Sequence, residues 1–231
     1  QAVAVGVGLL DVAALERNGA ENPLRGLWSE QAVRPQIVVL ASDARAAADF
    51  GEIAETEWIS LVLSIEGREL AYAVARALII ATGRRLRALV DEARHLPYEV
   101  RSVLRHLTRR VLSGPGWEDH PPPPHQIADL ARENAVSRAH HNRRLDARPV
   151  DLRALAEIWL AMQTVCIKGI ENPSLGALAE RAGYRSRTGL SALGRRALGV
   201  PAGAWSETRP AEAINACTAM WSRALRGPSM T

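Results

Sequence analysis

The residues of this chain best suited to chemistry are arginines grouped around serines. In Gly183-Tyr184-Arg185-Ser186-Arg187-Thr188 a turn-forming glycine leads to a serine between two guanidinium groups, and Ser137 is followed by Arg138, Asn142, Arg143 and Arg144. A guanidinium presents a planar fork of donors that matches phosphate oxygens or the O6/N7 edge of guanine, and an asparagine amide matches the N6/N7 edge of adenine. A serine just before a helix accepts a backbone N–H and leaves the positive helix end ready for an anion. This is the chemistry of binding rather than turnover. No nucleophile–base pair or phosphate loop is legible, so an enzyme is not expected. His120 and His125 flank a proline run without a carboxylate or thiol cluster, and Cys166 and Cys217 lack CxxC spacing. Neither pair reads as a metal site, and the cysteines read as reduced, buried thiols. Gly6 and Gly8 suggest a dinucleotide loop, but Asp11 stands where its third glycine belongs, so no cofactor is expected.

These arginines need helices to carry them, and the composition supplies them. The 231 residues are 47% hydrophobic but only 4% aromatic. With Ala, Leu and Val abundant and long β-branched runs scarce, they favour a mainly α protein of about two domains. Lys168 is the only lysine, so the positive charge is nearly all guanidinium. Its distribution says more than the net +4: Gln1 to His120 holds 14 arginines against 16 carboxylates, whereas Pro121 to Pro210 holds 13 basic residues against 8 acidic ones. A basic second half beside a near-neutral first half is the electrostatic footprint of a nucleic-acid-binding domain joined to a partner domain. No apolar run reaches the ~18 residues of a membrane span, and no basic-then-apolar leader is present, so no membrane contact and a cytoplasmic location are expected. The sequence starts at Gln1, which leaves room for a leader or a further strand ahead of it.

The segment Ser113 to His125, SGPGWEDHPPPPH, has two glycines and five prolines and excludes regular structure. It divides the chain into a small α/β regulatory or dimerisation domain (1–112), a linker (113–124) and an all-α domain (125–231). In the first half, PQIVVLA (35–41) and WISLVLS (58–64) read as strands followed by helices, and AVAVGVG (2–8) as a third strand of a parallel sheet. Leu70, Ala73, Val74, Ala77, Leu78 and Ala81 then recur at helical spacing. After Pro97, Val100, Val103, Leu104, Leu107 and Val111 do the same opposite Arg101, Arg105 and Arg109. That second stripe is either a dimerisation seam or a face packed on its own domain.

The second half repeats one plan twice. Leu175, Leu178, Ala179 and Ala182 form one face of a short helix, Gly183 ends it, and Ser186 caps a second helix with Leu190, Leu193, Ala197 and Leu198 inside. Upstream, Ile127, Leu130 and Ala131 face inward, Asn134-Ala135 turns, and Ser137 caps a helix. Each is a helix-turn-helix pattern, whose second helix enters a major groove. Between the two capping serines, 49 residues apart, lies one helix from about Asp151 to Lys168, with Leu152, Leu155, Ile158, Trp159, Met162 and Val165 on its apolar side. At ~1.5 Å per residue it spans about 27 Å. Successive major grooves on one DNA face are ~34 Å apart, so two readers from one chain fit adjacent grooves. Beyond Trp205, Ile214, Cys217, Trp221 and Leu225 mark a closing helix.

This arrangement resembles the DNA-binding domain of AraC/XylS-type transcription regulators. The likeness covers about His125 to Trp205, a third of the chain, and is most specific in GYRSRTGLSALGRRALGVPAGAW, Gly183 to Trp205. There the glycine-aromatic turn, the capped helix, Arg195-Arg196, the exit Leu198-Gly199-Val200 and the closing Trp205 occur in order. Three positions depart: Gly194 replaces a bulky aromatic, Ala202 a proline, and His141 an apolar residue. The resemblance implies a transcription regulator that binds double-stranded DNA. It implies base-edge contacts from Arg138, Ala139, Asn142 and Arg143 in the first unit and from Arg187, Thr188 and Ser191 in the second. Arg144, Arg185, Arg196 and the helix starts at Ser137 and Ser186 suit phosphates, and His140 suits either role. Gly189 and Gly194 are expected to weaken the second recognition helix, each by ~1 kcal/mol relative to alanine.

The first half resembles a response-regulator receiver domain, faintly. On that alignment Ala41 stands at the aspartate position, Asp43 is a poor substitute, and no lysine is present, so phosphoryl chemistry is not expected. A pseudo-receiver that forms a homodimer or senses a signal is the resulting expectation, with RNA polymerase a further candidate partner. The alternative from another class is a helical protein-interaction module whose arginines only face solvent.

Overall fold

The computed structural model describes residues 7–11, 36–40, 59–62, 67–112, 150–205 and 209–226, the strands among them by backbone alone. These residues are mainly helical. Three short strands, β1 (Val7–Asp11), β2 (Gln36–Leu40) and β3 (Ile59–Val62), form a parallel sheet in which β2 lies between β1 and β3. Val7 pairs with Gln36 and Asp11 with Leu40, while Ile37 pairs with Ile59. Strands were expected at all three places, but the first lies later than AVAVGVG: its register with β2 starts at Val7 and runs to Asp11.

A long helix follows, α1 (Gly67–Glu92), then α2 (Tyr98–Arg109), α3 (Leu152–Glu171), α4 (Leu175–Arg181), α5 (Arg187–Leu198), a 3-10 turn at Ala202–Ala204, and α6 (Pro210–Leu225). The chain divides into two compact units, Gln1–Ala81 and Thr82–Thr231, and the division falls inside α1. Residues 82–112 thus group with the helices that follow the Pro/Gly segment.

In the second unit α3 is the core. Every residue from Leu155 to Ile167 is buried, so this helix is covered all round rather than along one stripe. The cause is its neighbours: α2, α5 and α6 all pack against it. Asp151 caps its start by accepting the Ala154 N–H at 3.0 Å, and Asn172 ends it in the left-handed conformation, φ 50°. Of the expected apolar stripe, Val100, Val103, Leu104 and Leu107 are buried in α2, the last two fully enclosed, while Val111 lies beyond the helix and is half-buried. Gly83 of α1 permits the close approach, because a Cβ there would meet the Thr108 carbonyl oxygen at 2.6 Å and the Trp159 ring at 3.2 Å. The stripe that could have been a dimer seam is therefore occupied within the chain itself.

The segment leaving α2 is fastened to the middle of α3. The Leu112 N–H donates to Gln163 Oε1 at 2.7 Å, and the Arg110 carbonyl accepts from Gln163 Nε2 at 3.2 Å and Trp159 Nε1 at 3.1 Å. Gln163 is fully buried and spends both ends of its amide on this backbone, which satisfies groups that would be costly to leave unpaired. On another side α6 closes over α3 with Ile214, Cys217, Trp221 and Leu225, the four expected positions, all buried.

Candidate nucleic-acid interface

The second helix-turn-helix pattern lies wholly within the described residues, and local signals account for its shape. Ser174 caps α4 by accepting the Ala177 N–H at 3.2 Å. At the far end Gly183 takes φ +75°, with its N–H on the Glu180 carbonyl at 2.9 Å and the Tyr184 N–H on the Ala179 carbonyl at 2.8 Å. That pair of bonds is the Schellman closure, which a residue with a Cβ adopts only under strain. Ser186 then caps α5 by accepting the Gly189 N–H at 3.3 Å. Gly199, φ +75°, closes the helix with its N–H on the Arg195 carbonyl. Of the residues expected to face inward, Leu178, Ala179, Ala182, Leu190 and Leu193 are buried, whereas Leu175, Ala197 and Leu198 are half-buried.

Arg185, Ser186, Arg187 and Thr188 are exposed at the start of α5, and Ser191 is half-buried one turn further on. No acidic residue occupies the first turn. Arg195, which the contact assignment passed over, is exposed as well. It has no ion-pair partner among the described residues. Helical geometry places it one and two turns beyond Ser191 and Thr188 on one line along the exposed face. The signal for it was present in the Arg195-Arg196 pair; choosing between the two needed the buried face to be fixed.

Arg196, expected on phosphate, is ion-paired within the chain: its Nε donates to Glu157 Oε2 of α3 at 3.1 Å. Glu157 Oε1 accepts from Arg153 Nε at 3.2 Å. The Arg196 guanidinium is held charged first of all by its bond to Glu157, with Tyr184 adding to the same effect. Burial pushes the Tyr184 hydroxyl up to about 12, the nearby Arg196 opposing. A second ion pair, Arg181 Nη1 to Glu171 Oε2 at 2.8 Å, ties α4 to the end of α3.

The two glycines of α5 have a packing reason that local propensity does not reveal. A Cβ on Gly189 would sit 2.8 Å from Cδ1 of Tyr184; one on Gly194 would sit 2.5 Å from the Val200 carbonyl oxygen and 2.7 Å from Cζ2 of Trp205. Each lets an aromatic ring lie directly on the helix backbone, and Trp205 is fully buried as a result. The space Gly194 leaves is thus filled by an indole brought in from beyond the helix.

The first pattern, with Ser137, Arg138, Ala139, His140, Asn142, Arg143 and Arg144, lies outside the described residues, as do the linker and His120 and His125. Among the described residues no three His, Cys, Asp or Glu side chains gather into a metal site, and no helix is long and apolar enough to cross a membrane. Comparison of the chain with protein-family models, curated proteins and solved structures gives no match.

Proposed function

We propose that this chain is a sequence-specific transcription regulator that binds double-stranded DNA through the α4–α5 helix-turn-helix and a second reader at 125–145. The observation that carries the reading is the entry of α5: Arg185, Arg187 and Thr188 stand exposed around a serine-capped helix start with no carboxylate in its first turn. Cations at the positive end of a helix are unfavourable by roughly 0.3–1 kcal/mol each in the free protein, and a phosphate or guanine edge removes that cost. The helix, 12 residues and about 18 Å long, suits a major groove about 12 Å wide. Thr188, Ser191 and Arg195 then follow the groove, and Arg185 and Arg195 suit the flanking phosphates. The 20 residues of α3 give about 30 Å, near one turn of DNA, for spacing the two readers.

The first half is read as a domain that senses a signal or forms a homodimer in service of this activity, with RNA polymerase a further candidate partner of the protein. No lysine is present in that half, so the reading stays with sensing without phosphoryl transfer.

Selection of bound duplexes from a random pool tests the proposal. Two half-sites about one helical turn apart are expected. Failure of the chain to bind any duplex at low salt would refute it and favour a protein-interaction module.

A further inference from the structure

Glu157 is a carboxylate sunk into the protein near the start of α3, 8% exposed, and each of its oxygens faces a different arginine. Arg153 lies one turn back on the same helix, so that contact is local. Arg196 belongs to α5, so the second contact crosses from the core helix to the candidate recognition helix. Tyr184 completes the group: its hydroxyl lies beside Arg196 and its ring covers Gly189 in the first turns of α5. A buried carboxylate persists when it is paired, and removing one partner leaves an uncompensated charge, so Glu157 holds Arg196 firmly. Yet Arg196 is 46% exposed and flanks the line of Thr188, Ser191 and Arg195. A guanidinium whose Nε is already bonded to a buried anion has less of its charge to offer a phosphate.

We propose that Glu157 is a positioning residue and internal counter-ion: it draws Arg196 onto α3 and keeps it out of the phosphate contacts of α5. Those contacts then fall to Arg185 and Arg195. The inference rests on the DNA-binding reading and deepens it, because it separates the arginines that meet DNA from one that orients the helix carrying them.

Salt dependence reads this directly, since each phosphate neutralised contributes about 0.9 to the slope of log affinity against log salt. The full chain is titrated with a fluorescent random-sequence duplex between about 50 and 200 mM salt. Arg196→Ala is expected to leave the slope unchanged. Glu157→Gln, which keeps the shape and removes the charge, is expected to release Arg196, steepen the slope by about 0.9 and tighten low-salt binding, while Glu157→Asp retains the original slope. Adding Arg196→Ala to Glu157→Gln is expected to restore the original value. A slope shallower by about 0.9 in Arg196→Ala alone would place Arg196 on a phosphate already and overturn the counter-ion role. So would an unchanged slope in a Glu157→Gln protein that melts cooperatively. Should Glu157→Gln fail to fold, Arg196→Ala, a change at a half-exposed side chain, decides by itself. Absence of salt-dependent binding by the unaltered chain removes the DNA-binding reading and this inference with it. Binding that persists but weakens in slope with Arg196→Ala removes only the inference.

Discussion

Replacing Gly194 by alanine sets two physical effects against each other. In an exposed helix interior the change stabilises by about 1 kcal/mol. At Gly194 the new methyl would lie 2.5 Å from the Val200 carbonyl oxygen and 2.7 Å from Cζ2 of Trp205, against the ~3.5–4.0 Å of an ordinary carbon contact. Relief needs a movement of about 1 Å by the backbone leaving α5, by a fully buried indole, or by both. Overpacking of this kind costs about 1–3 kcal/mol, so after the propensity gain a net loss of about 1–2 kcal/mol is expected. Gly189→Ala meets only a partly exposed tyrosine ring at 2.8 Å and is expected near neutrality. Gly176→Ala in α4, with its nearest neighbours at 3.8 and 3.9 Å, is expected to gain up to about 1 kcal/mol. Urea unfolding of the three variants, compared at constant m-value, gives the order. If Gly194→Ala raised the midpoint as much as Gly176→Ala, the packing argument would be wrong and the glycine would be a plain defect of the helix.

Gln163→Leu leaves the Leu112 N–H without its acceptor and the Arg110 carbonyl with Trp159 alone, so a loss of about 1–3 kcal/mol is expected by the same unfolding measurement. Cys166, whose thiol burial pushes up to about 12, and Cys217, raised chiefly by burial, are expected to resist a thiol reagent at pH 8 until the protein unfolds. Because the raised folded value favours the protonated thiol, the contribution of Cys166 to stability is intact below pH 9 and is lost as pH rises toward 12. A thermal midpoint that falls over that window in wild type, and falls less in Cys166→Ala, is the check. Arg187→Ala is expected to cost about 1–3 kcal/mol on a selected duplex and to relax base preference, which binding to a panel of single-base variants measures.

The parts of this fold that were legible in the sequence are those whose causes are local. Ser186 and Ser174 cap the helices that follow them, Gly183 turns, and α6 buries the four residues its spacing picked out, because each signal acts within about one or two helical turns. The pairing of Arg196 was not legible for the opposite reason. Its partner Glu157 lies 39 residues away, and a guanidinium held by a remote carboxylate has the same sequence signature as one facing solvent. Gly194 repeats that lesson, since Trp205 reaches it only once the chain has turned back after Gly199. The polar residues Glu157, Gln163 and Thr164 lie off the apolar stripe of α3, so their burial depended on neighbours that the helix's own sequence does not name.

The fastening of Arg110 and Leu112 to Gln163 gives the chain an unusual economy of attachment. Residue 112 is anchored at the middle of α3, and the chain returns at Val150 to begin that same helix, only about 17 Å away by helical rise from Gln163 to Leu152. Both ends of the intervening sequence are thus fixed on one helix, at a separation that the packing of α2 on α3 sets.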